Sequence, residues 1–331
     1  VNKQGQTYLV TGGAGFIGSH VVKALLAQGA HVVVVDDYND FYDPAIKEAN
    51  LANVAHHPQL SIHRLDIRDA GAMASVFGVY GQALQSGGIV HLAARAGVRP
   101  SLAEPRLYLE TNVTGTLNLA ELARQHGIRR FVFASSSSVY GDSPDTVPFS
   151  ESQDVSKPIS PYAATKVMGE NLLYTYAHLH GLQVVALRFF TVYGAGQRPD
   201  LAIHKFTKLI DQGQTIPLFG DGTTRRDYTY IDDILQGILG AITYQHPANQ
   251  APFAVFNLGE SQTTTLIDLV RTIEQALGKT ANIDWQPLQP GDVSITYANI
   301  AKAHELLGYN PQTKIADGIP KFVDWYLAQK H

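Results

Sequence analysis

The chain has 331 residues, 45% of them hydrophobic and 16% charged, with a net charge of −4; that balance belongs to a compact globular protein rather than a disordered or fibrous one. The charge leaves no basic footprint, so nucleic acid is not expected as a partner. Zero cysteines exclude a disulfide scaffold, thiol catalysis and a cysteine-ligated metal, and no apolar run approaches the ~18 residues of a membrane span.

The opening Val1-Asn2-Lys3-Gln4-Gly5-Gln6 lacks the apolar core of a signal peptide, which makes a cytoplasmic location the expectation. A β-like run over 7–11 then leads into Gly12-Gly13-Ala14-Gly15-Phe16-Ile17-Gly18, ahead of a helical pattern over 19–28. Glycines alone mark ordinary turns, but between a strand and a helix this spacing reads as a nucleotide loop. Gly12 permits the tight turn, Gly15 lets backbone approach a pyrophosphate, and Gly18 lets the helix pack on the strand. The helix N-terminus offers unpaired N–H groups and a positive dipole end to the phosphates. The next strand, 31–35, ends in Asp36-Asp37. Asp36 stands where a carboxylate meets a ribose 2′-hydroxyl, which favours NAD over NADP because a 2′-phosphate would be repelled there; Asp37 is open to the same role.

Further strands are expected at 61–65, 88–92, 130–134 and 183–187, alternating with helices, the pattern of a doubly wound parallel α/β sheet covered on both faces. Asp66 and Ile67, then Leu92, Ala93 and Ala94, fall at C-terminal strand ends, where such a sheet places its ligand. His56-His57 has no neighbours that would complete a metal site, and none is expected. A long helix is predicted over 105–126, with apolar residues at Leu109, Val113, Leu117 and Leu122. After the serine run from Ser135 to Ser138 comes a helix-like segment holding Tyr162-Ala163-Ala164-Thr165-Lys166. Residues four apart share a helix face, so the Lys166 ammonium can sit beside the Tyr162 phenol and favour its phenolate. A free tyrosine titrates near ~10, and each unit of depression is about 1.36 kcal/mol of preference for the anion. That spacing also arises by chance; the nucleotide loop upstream is what gives it chemical meaning. From Thr191 the rhythm breaks into Gly-, Pro- and Arg-rich stretches at 193–199 and 219–226, as in a lobe whose loops hold a ligand.

Taken together, the nucleotide loop, Asp66-Ile67, Asn112, the run over 135–141, Tyr162 with Lys166, and Arg225-Arg226-Asp227-Tyr228 resemble an extended short-chain dehydrogenase/reductase, and within it the nucleotide-sugar 4-epimerases. Phe189-Phe190-Thr191-Val192-Tyr193-Gly194 followed by Arg198-Pro199-Asp200 is similar to the UDP-glucuronate 4-epimerase subgroup. So are Ala96-Gly97-Val98-Arg99 and Gln289-Pro290-Gly291-Asp292-Val293. The resemblance implies a Rossmann domain over 1–188, its sheet completed by about 228–260 through a strand near 254–258, and a smaller C-terminal α/β lobe from 189–227 and 261–331 that binds the nucleotide sugar. It implies NAD held by Gly12, Gly15, Phe16, Ile17, Gly18, Asp36, Asp66, Ile67, Leu92, Ala93, Ala94, Asn112, Tyr162 and Lys166. It implies reversible oxidation at C4 of a UDP-sugar, with the nicotinamide accepting and returning the hydride, Tyr162 taking the 4-hydroxyl proton, Ser136 bonded to the same oxygen and Lys166 on the cofactor ribose. A homodimer paired through the long helix before His126 and the helix of Tyr162 follows by the same analogy.

The residues after Ser136 bear on which reaction follows oxidation. Related 4,6-dehydratases resemble an Asp-Glu acid/base pair there, and decarboxylases a Glu at the second place, whereas this chain has Ser137-Ser138. A neutral hydroxyl is a poor base near pH 7 but a good donor to a carboxylate. Galactose-type epimerases carry Asn where this chain has Thr191, so Ser137, Ser138 and Thr191 are expected to converge on a C6 carboxylate. Arg226 resembles the arginine that grips the diphosphate, and Asp292 the residue that meets the nucleotide ribose. Arg198 and Lys205 are expected at the phosphates or the carboxylate, and Arg99 at the sugar pocket. Two alternatives stay open: a 4-epimerase of UDP-glucose/UDP-galactose or of N-acetylhexosamines, and a non-catalytic NAD-binding sensor on the same fold.

Overall fold

A computed structural model describes residues 2–143, 146–288 and 293–330. Its strands, in chain order, are β1 (Thr7–Thr11), β2 (His31–Asp36), β3 (Leu60–Arg64), β4 (Gly88–His91), β5 (Arg130–Ser136), β6 (Gln183–Phe189), β7 (Thr191–Tyr193), β8 (Thr215–Phe219), β9 (Arg225–Arg226), β10 (Tyr228–Tyr230), β11 (Phe253–Leu258), β12 (Thr264–Thr265) and β13 (Asn282–Gln286). Seven of them form one sheet in the order β11-β6-β5-β4-β1-β2-β3. Every pairing in it is parallel. A parallel sheet is buried on both faces, which is why the Tyr8 to Val10 stretch of β1 and the Val32 to Val35 stretch of β2 read as unbroken apolar runs with every residue buried.

The period-two pleat divides those runs between two cores. Tyr8, Val10, Val32 and Val34 belong to one, which continues through Ile203 and Phe206 to Leu269 and Phe322; Leu9, Val33, Val35 and Ile89 belong to the other. Strand order reverses between β1 and β4, and at such a switch point the helices that follow the two strands diverge to opposite faces and leave a crevice at the strands' C-terminal ends. Beyond β6 the chain turns from long strands to short ones: β10 pairs with β7, β12 with β9 and β13 with β8.

The expected strands are present with ends shifted by one or two residues, and the predicted late strand is there as β11, an edge strand beside β6. The helix expected over 105–126 is instead three pieces: Pro105–Leu109, a π-helical turn at Glu110–Thr114, and Gly115–Gln125. A π-turn inserts a residue into the helical repeat and rotates the face that follows. Thr111, Asn112, Thr116 and Leu119 are therefore buried, while Leu109 and Leu117, members of the predicted apolar stripe, stay 46% and 38% exposed.

Candidate functional site

The Gly-rich turn sits at the end of β1. Gly12 has φ +68°, and a Cβ there would lie 2.7 Å from the backbone nitrogen of Ala93; a Cβ on Gly18 would lie 2.1 Å from the Gly12 oxygen. Only glycine permits this turn to close against β4 and its own helix. The helix Phe16–Ala27 begins at Gly15 with no side-chain cap, so its first N–H groups face outward, the arrangement that binds phosphate. A Gly18→Ala variant is accordingly expected to lose tight dinucleotide binding by calorimetry while still folding; undiminished affinity would show that the turn can give way.

Gly12, Gly15, Phe16, Ile17 and Gly18 line one cavity of about 350 Å3, together with Asp36, Asp66, Ile67, Leu92, Ala93, Ala94, Ser136, Tyr162, Lys166, Thr191 and Arg198. Most of the residues predicted for the cofactor, the three catalytic groups and two of the substrate residues thus meet in one crevice. Asp36 accepts N–H bonds from Ala14 at 3.1 Å and Tyr38 at 2.9 Å. Burial raises its pKa, while Lys47, 3.6 Å away, pulls the other way. The uncapped helix start, the glycine-only approach and the carboxylate at the end of β2 fit a dinucleotide.

The helix Pro161–His180 is started by Ser160, which accepts from Ala163 N at 3.1 Å, with proline in the first turn. This fixes Tyr162 at the helix mouth, its ring edge-on to Tyr108 at 6.2 Å. Burial raises the Tyr162 pKa, while a bond with Ser136 and the charge of Arg198 draw it back. Lys166 is 4% exposed. Its Nζ stands over the Tyr162 ring, 5.8 Å from the centroid, beside the phenol as the helical spacing predicts, and donates its hydrogen bond to Ala134 O at 2.7 Å. Burial pushes its pKa down to about 7, with Glu170 opposing. Ser136 ends β5, level with Phe189 on β6, which brings Thr191, two residues beyond Phe189, to the neighbouring strand end.

Other predicted residues lie off this wall. Asn112 is buried behind it: its Oδ1 accepts from Arg95 N at 2.8 Å, and its Nδ2 donates to Arg95 O and Thr165 Oγ1, each at 3.0 Å. Thr165 in turn donates to Tyr162 O at 2.7 Å, so Asn112 ties the 93–97 segment to the helix of Tyr162. Ser137 and Ser138 are half-buried, and Ser138 Oγ donates to Ser136 Oγ at 2.9 Å. Arg226 Nη1 donates to Arg225 O at 2.9 Å. Arg99 lies over the Phe219 ring at 4.8 Å, and Lys205 is exposed on the helix Ala202–Asp211. Asp292 falls outside the described residues.

Sequence reasoning did not find Lys47, which closes on Asp36 and Asp37, nor Phe41, whose ring carries the guanidinium groups of both Arg95 and Arg198 at 5.6 and 4.9 Å. Neither belongs to a spaced motif; Phe41 reaches the site from the loop after β2 and Lys47 from the helix Pro44–Ala52 that follows it. Arg198 is itself held by Asp200, Nε to Oδ1 at 3.0 Å and Nη2 to Oδ2 at 2.6 Å.

A seven-stranded parallel sheet with a glycine turn at its switch point, and a tyrosine and lysine one helical turn apart in the crevice, define the extended short-chain dehydrogenase/reductase class. Within that class, the family described as GDP-mannose 4,6 dehydratase matches residues 9–322, and the chain belongs to it. It is 41% identical to a UDP-glucuronate 4-epimerase of Thermodesulfobacterium geofontis over 96% of this chain and 95% of that one. It is likewise 41% identical to UDP-glucuronate 4-epimerase 4 of Arabidopsis thaliana over 98% of this chain and 76% of the relative. Among solved structures it is similar to the UDP-glucuronic acid 4-epimerase from Bacillus cereus in complex with UDP-glucuronic acid and NAD, at 33% identity and a TM-score of 0.89, covering 98% of this chain and 100% of that one. It is also similar to a UDP-glucose 4-epimerase with UDP-glucose from Thermotoga maritima, at 31% identity and a TM-score of 0.88 with the same coverage.

Proposed function

We infer that this chain is an NAD-dependent epimerase that inverts C4 of UDP-glucuronate to give UDP-galacturonate. One observation carries the choice among the family's reactions: among the described residues, the cavity wall contributed by β5 and the chain after it is built from Ser135, Ser136, Tyr162, Lys166, Thr191, Arg198 and apolar groups, and holds no carboxylate. The acidic members of the cavity, Asp36, Asp37 and Asp66, stand at the ends of β2 and β3. A dehydratase must strip a C5 proton and expel the C6 hydroxyl, work that needs an acid/base pair beside the sugar. This wall has none, so the chemistry halts at oxidation and its reversal.

NAD, held by the Gly12 to Gly18 turn, Asp36 and Lys166, supplies reversible redox chemistry at C4. Tyr162 Oη takes the proton of the 4-hydroxyl and gives it back, with Ser136 Oγ bonded to the same oxygen. Thr191, assisted by Ser137 and Ser138, offers hydroxyl donors to the C6 carboxylate, and Arg198, whose charge acts on Tyr162, serves the carboxylate or the phosphates. On this reading Arg226 and Asp292 belong to the UDP end, Lys205 to the phosphates or the carboxylate, and Arg99 to the sugar pocket. Oxidised at C4, glucuronate is a β-keto acid, which loses carbon dioxide when its carboxylate turns perpendicular to the ring carbonyl. Donors that fix the carboxylate out of that geometry preserve the carbon.

The reading is tested by separate incubations with UDP-glucuronate and UDP-glucose, the products resolved by chromatography. Conversion of the glucuronate alone is expected; turnover of UDP-glucose alone would move the assignment to the galactose-type enzymes. In the Ser138→Ala/Thr191→Ala double variant the share of decarboxylated pentose product should rise, and an unchanged ratio would remove the carboxylate role from these hydroxyls.

On the same reading, residues 1–188 with the sheet completed from 228–260 form the cofactor domain, and 189–227 with 261–331 the nucleotide-sugar lobe. A cytoplasmic homodimer completes it. No helix among the described residues is long and apolar enough to cross a membrane. Leu109, Leu117 and Met168 are apolar and exposed on the packed helices 105–125 and 161–180, a surface that a second copy would cover. A monomer by light scattering would remove the dimer.

A further inference from the structure

Lys166 is one of three charged side chains sealed beneath the crevice. Glu170, one helical turn further along the same face, is 5% exposed, and Arg188 on β6 is 3% exposed. The group holds two cations and one anion, and the anion is not on Lys166. Arg188 takes the Glu170 carboxylate with both arms, Nε to Oε1 at 3.0 Å and Nη2 to Oε2 at 2.7 Å, and Ser135 Oγ adds a further donor to Oε1. Arg188 is fixed in turn: its Nη1 donates to Tyr140 Oη at 3.0 Å, and Tyr140 donates to Asn257 Oδ1 at 2.7 Å. Glu170 cannot swing to Lys166 without giving up three charge-assisted or hydroxyl donors in a dry interior.

The other titratable groups around Lys166 supply no anion either. His91 from β4 is fully buried and neutral, driven down to about 3 by burial first and by the Lys166 charge second. Tyr162, on the helix of Lys166, is raised by burial and keeps its proton at rest, and Arg198 beyond β7 is cationic. Lys166 has the Ala134 carbonyl, the face of Phe133 at 5.1 Å from the ring centroid and the ring of Tyr162 at 5.8 Å, none of them a carboxylate.

We propose that Glu170 and Arg188 are positioning residues that hold each other's charge so that the positive charge of Lys166 stays uncancelled and available to the Tyr162 phenolate. Without Arg188 the carboxylate would close on Lys166 and quench its field at Tyr162. Without Glu170 the charge that opposes burial at Lys166 would be gone, and the lysine would lose its proton more readily. The depressed Lys166 pKa, with Glu170 opposing the burial, is the balance this arrangement predicts. The inference rests on Tyr162 acting as the base.

Lys166 is followed directly, by the titration of its 13Cε resonance in selectively labelled protein, beside the pH profile of kcat/KM with UDP-glucuronate. Glu170→Gln is expected to move the lysine titration and the alkaline limb of the profile down by about one pH unit. Arg188→Met is expected to move the lysine titration up, and with it the acid limb that reports Tyr162. The double variant Glu170→Met/Arg188→Met removes equal and opposite charges, a replacement that buried pairs tolerate, and should return both limbs close to the parent positions. If the single variants lower turnover and melting temperature yet leave the lysine titration in place, the pair is a structural brace and the proposal fails. If the titrations move as stated but Tyr162→Phe keeps its activity, the proposed function is what falls, not the coupling between these charges.

Discussion

Tyr162→Phe is expected to lower kcat for C4 inversion by about 10²- to 10⁴-fold, or about 3–5 kcal/mol of transition-state stabilisation, because on the proposed function it deletes the group that exchanges the 4-hydroxyl proton. The change removes one oxygen from a ring packed edge-on against Tyr108, so the helix mouth and the cavity keep their shape. KM should therefore change little, and nearly all of the loss should fall on kcat, the signature of an interaction made mainly in the transition state. Single-turnover assays with UDP-glucuronate measure this without interference from product release. A Phe variant interconverting the epimers at the parental rate would leave no base in the crevice that could replace it, since Ser136 is neutral and Lys166 is committed to Ala134 O. The assignment of the reaction would then have to be abandoned.

Asp227→Ala should be the most damaging single change to stability outside the catalytic groups. Asp227 is fully buried. Its carboxylate accepts from three backbone N–H groups, Glu260 at 2.6 Å, Ser261 at 3.1 Å and Ala298 at 3.1 Å, and from Thr229 Oγ1 at 3.3 Å. One side chain thus joins the loop after β11, the segment around Ala298 and β10, directly after Arg226 in the chain. Alanine leaves three buried donors without acceptors at about 1–3 kcal/mol each, and some relaxation brings the expected loss to about 3–6 kcal/mol. Urea unfolding of the parent and the variant measures it. A loss under about 1 kcal/mol would mean that the three amides find other acceptors once the carboxylate is gone. Asp227→Asn retains an acceptor oxygen but turns an N–H2 group toward the same donors, so it should fall between the two.

The residues that look catalytic and the residues that govern them were unequally visible. Tyr162 and Lys166 share a face because four residues make about one helical turn, a relation settled within five residues of chain. Their electrostatic partners come from elsewhere: Arg198 follows β7, Arg188 lies on β6, and only Glu170 stands at the helical spacing that could have drawn attention to it. Even there the natural guess pairs Glu170 with Lys166, and the structure gives it to Arg188. The spacing places the Lys166 ammonium beside Tyr162, 5.8 Å from its ring centroid, and only the structure shows that its hydrogen bond goes to the β5 carbonyl of Ala134. Asn112 sat in the right region for another reason than the one expected. The π-helical turn at Glu110–Thr114 points it at the backbone of Arg95 and at Thr165 instead of into the crevice.

By itself the sequence determined what depends on neighbours along the chain. Glycines at the spacing of a dinucleotide turn, the alternation of apolar strands with helices, the acid at the end of β2 and the tyrosine–lysine pair are all written within windows shorter than one strand–turn–helix unit, where steric limits and periodicity act directly. The tertiary structure decided what depends on segments far apart: which strand β11 pairs with, Phe41 from a loop and Lys47 from the helix after it reaching the crevice, and the assignment of one buried carboxylate to one of two cations. Those outcomes follow from packing and burial. Which charge meets which counter-charge in a dry interior is fixed by the three-dimensional arrangement of strands and helices, and no spacing rule along the chain carries that information.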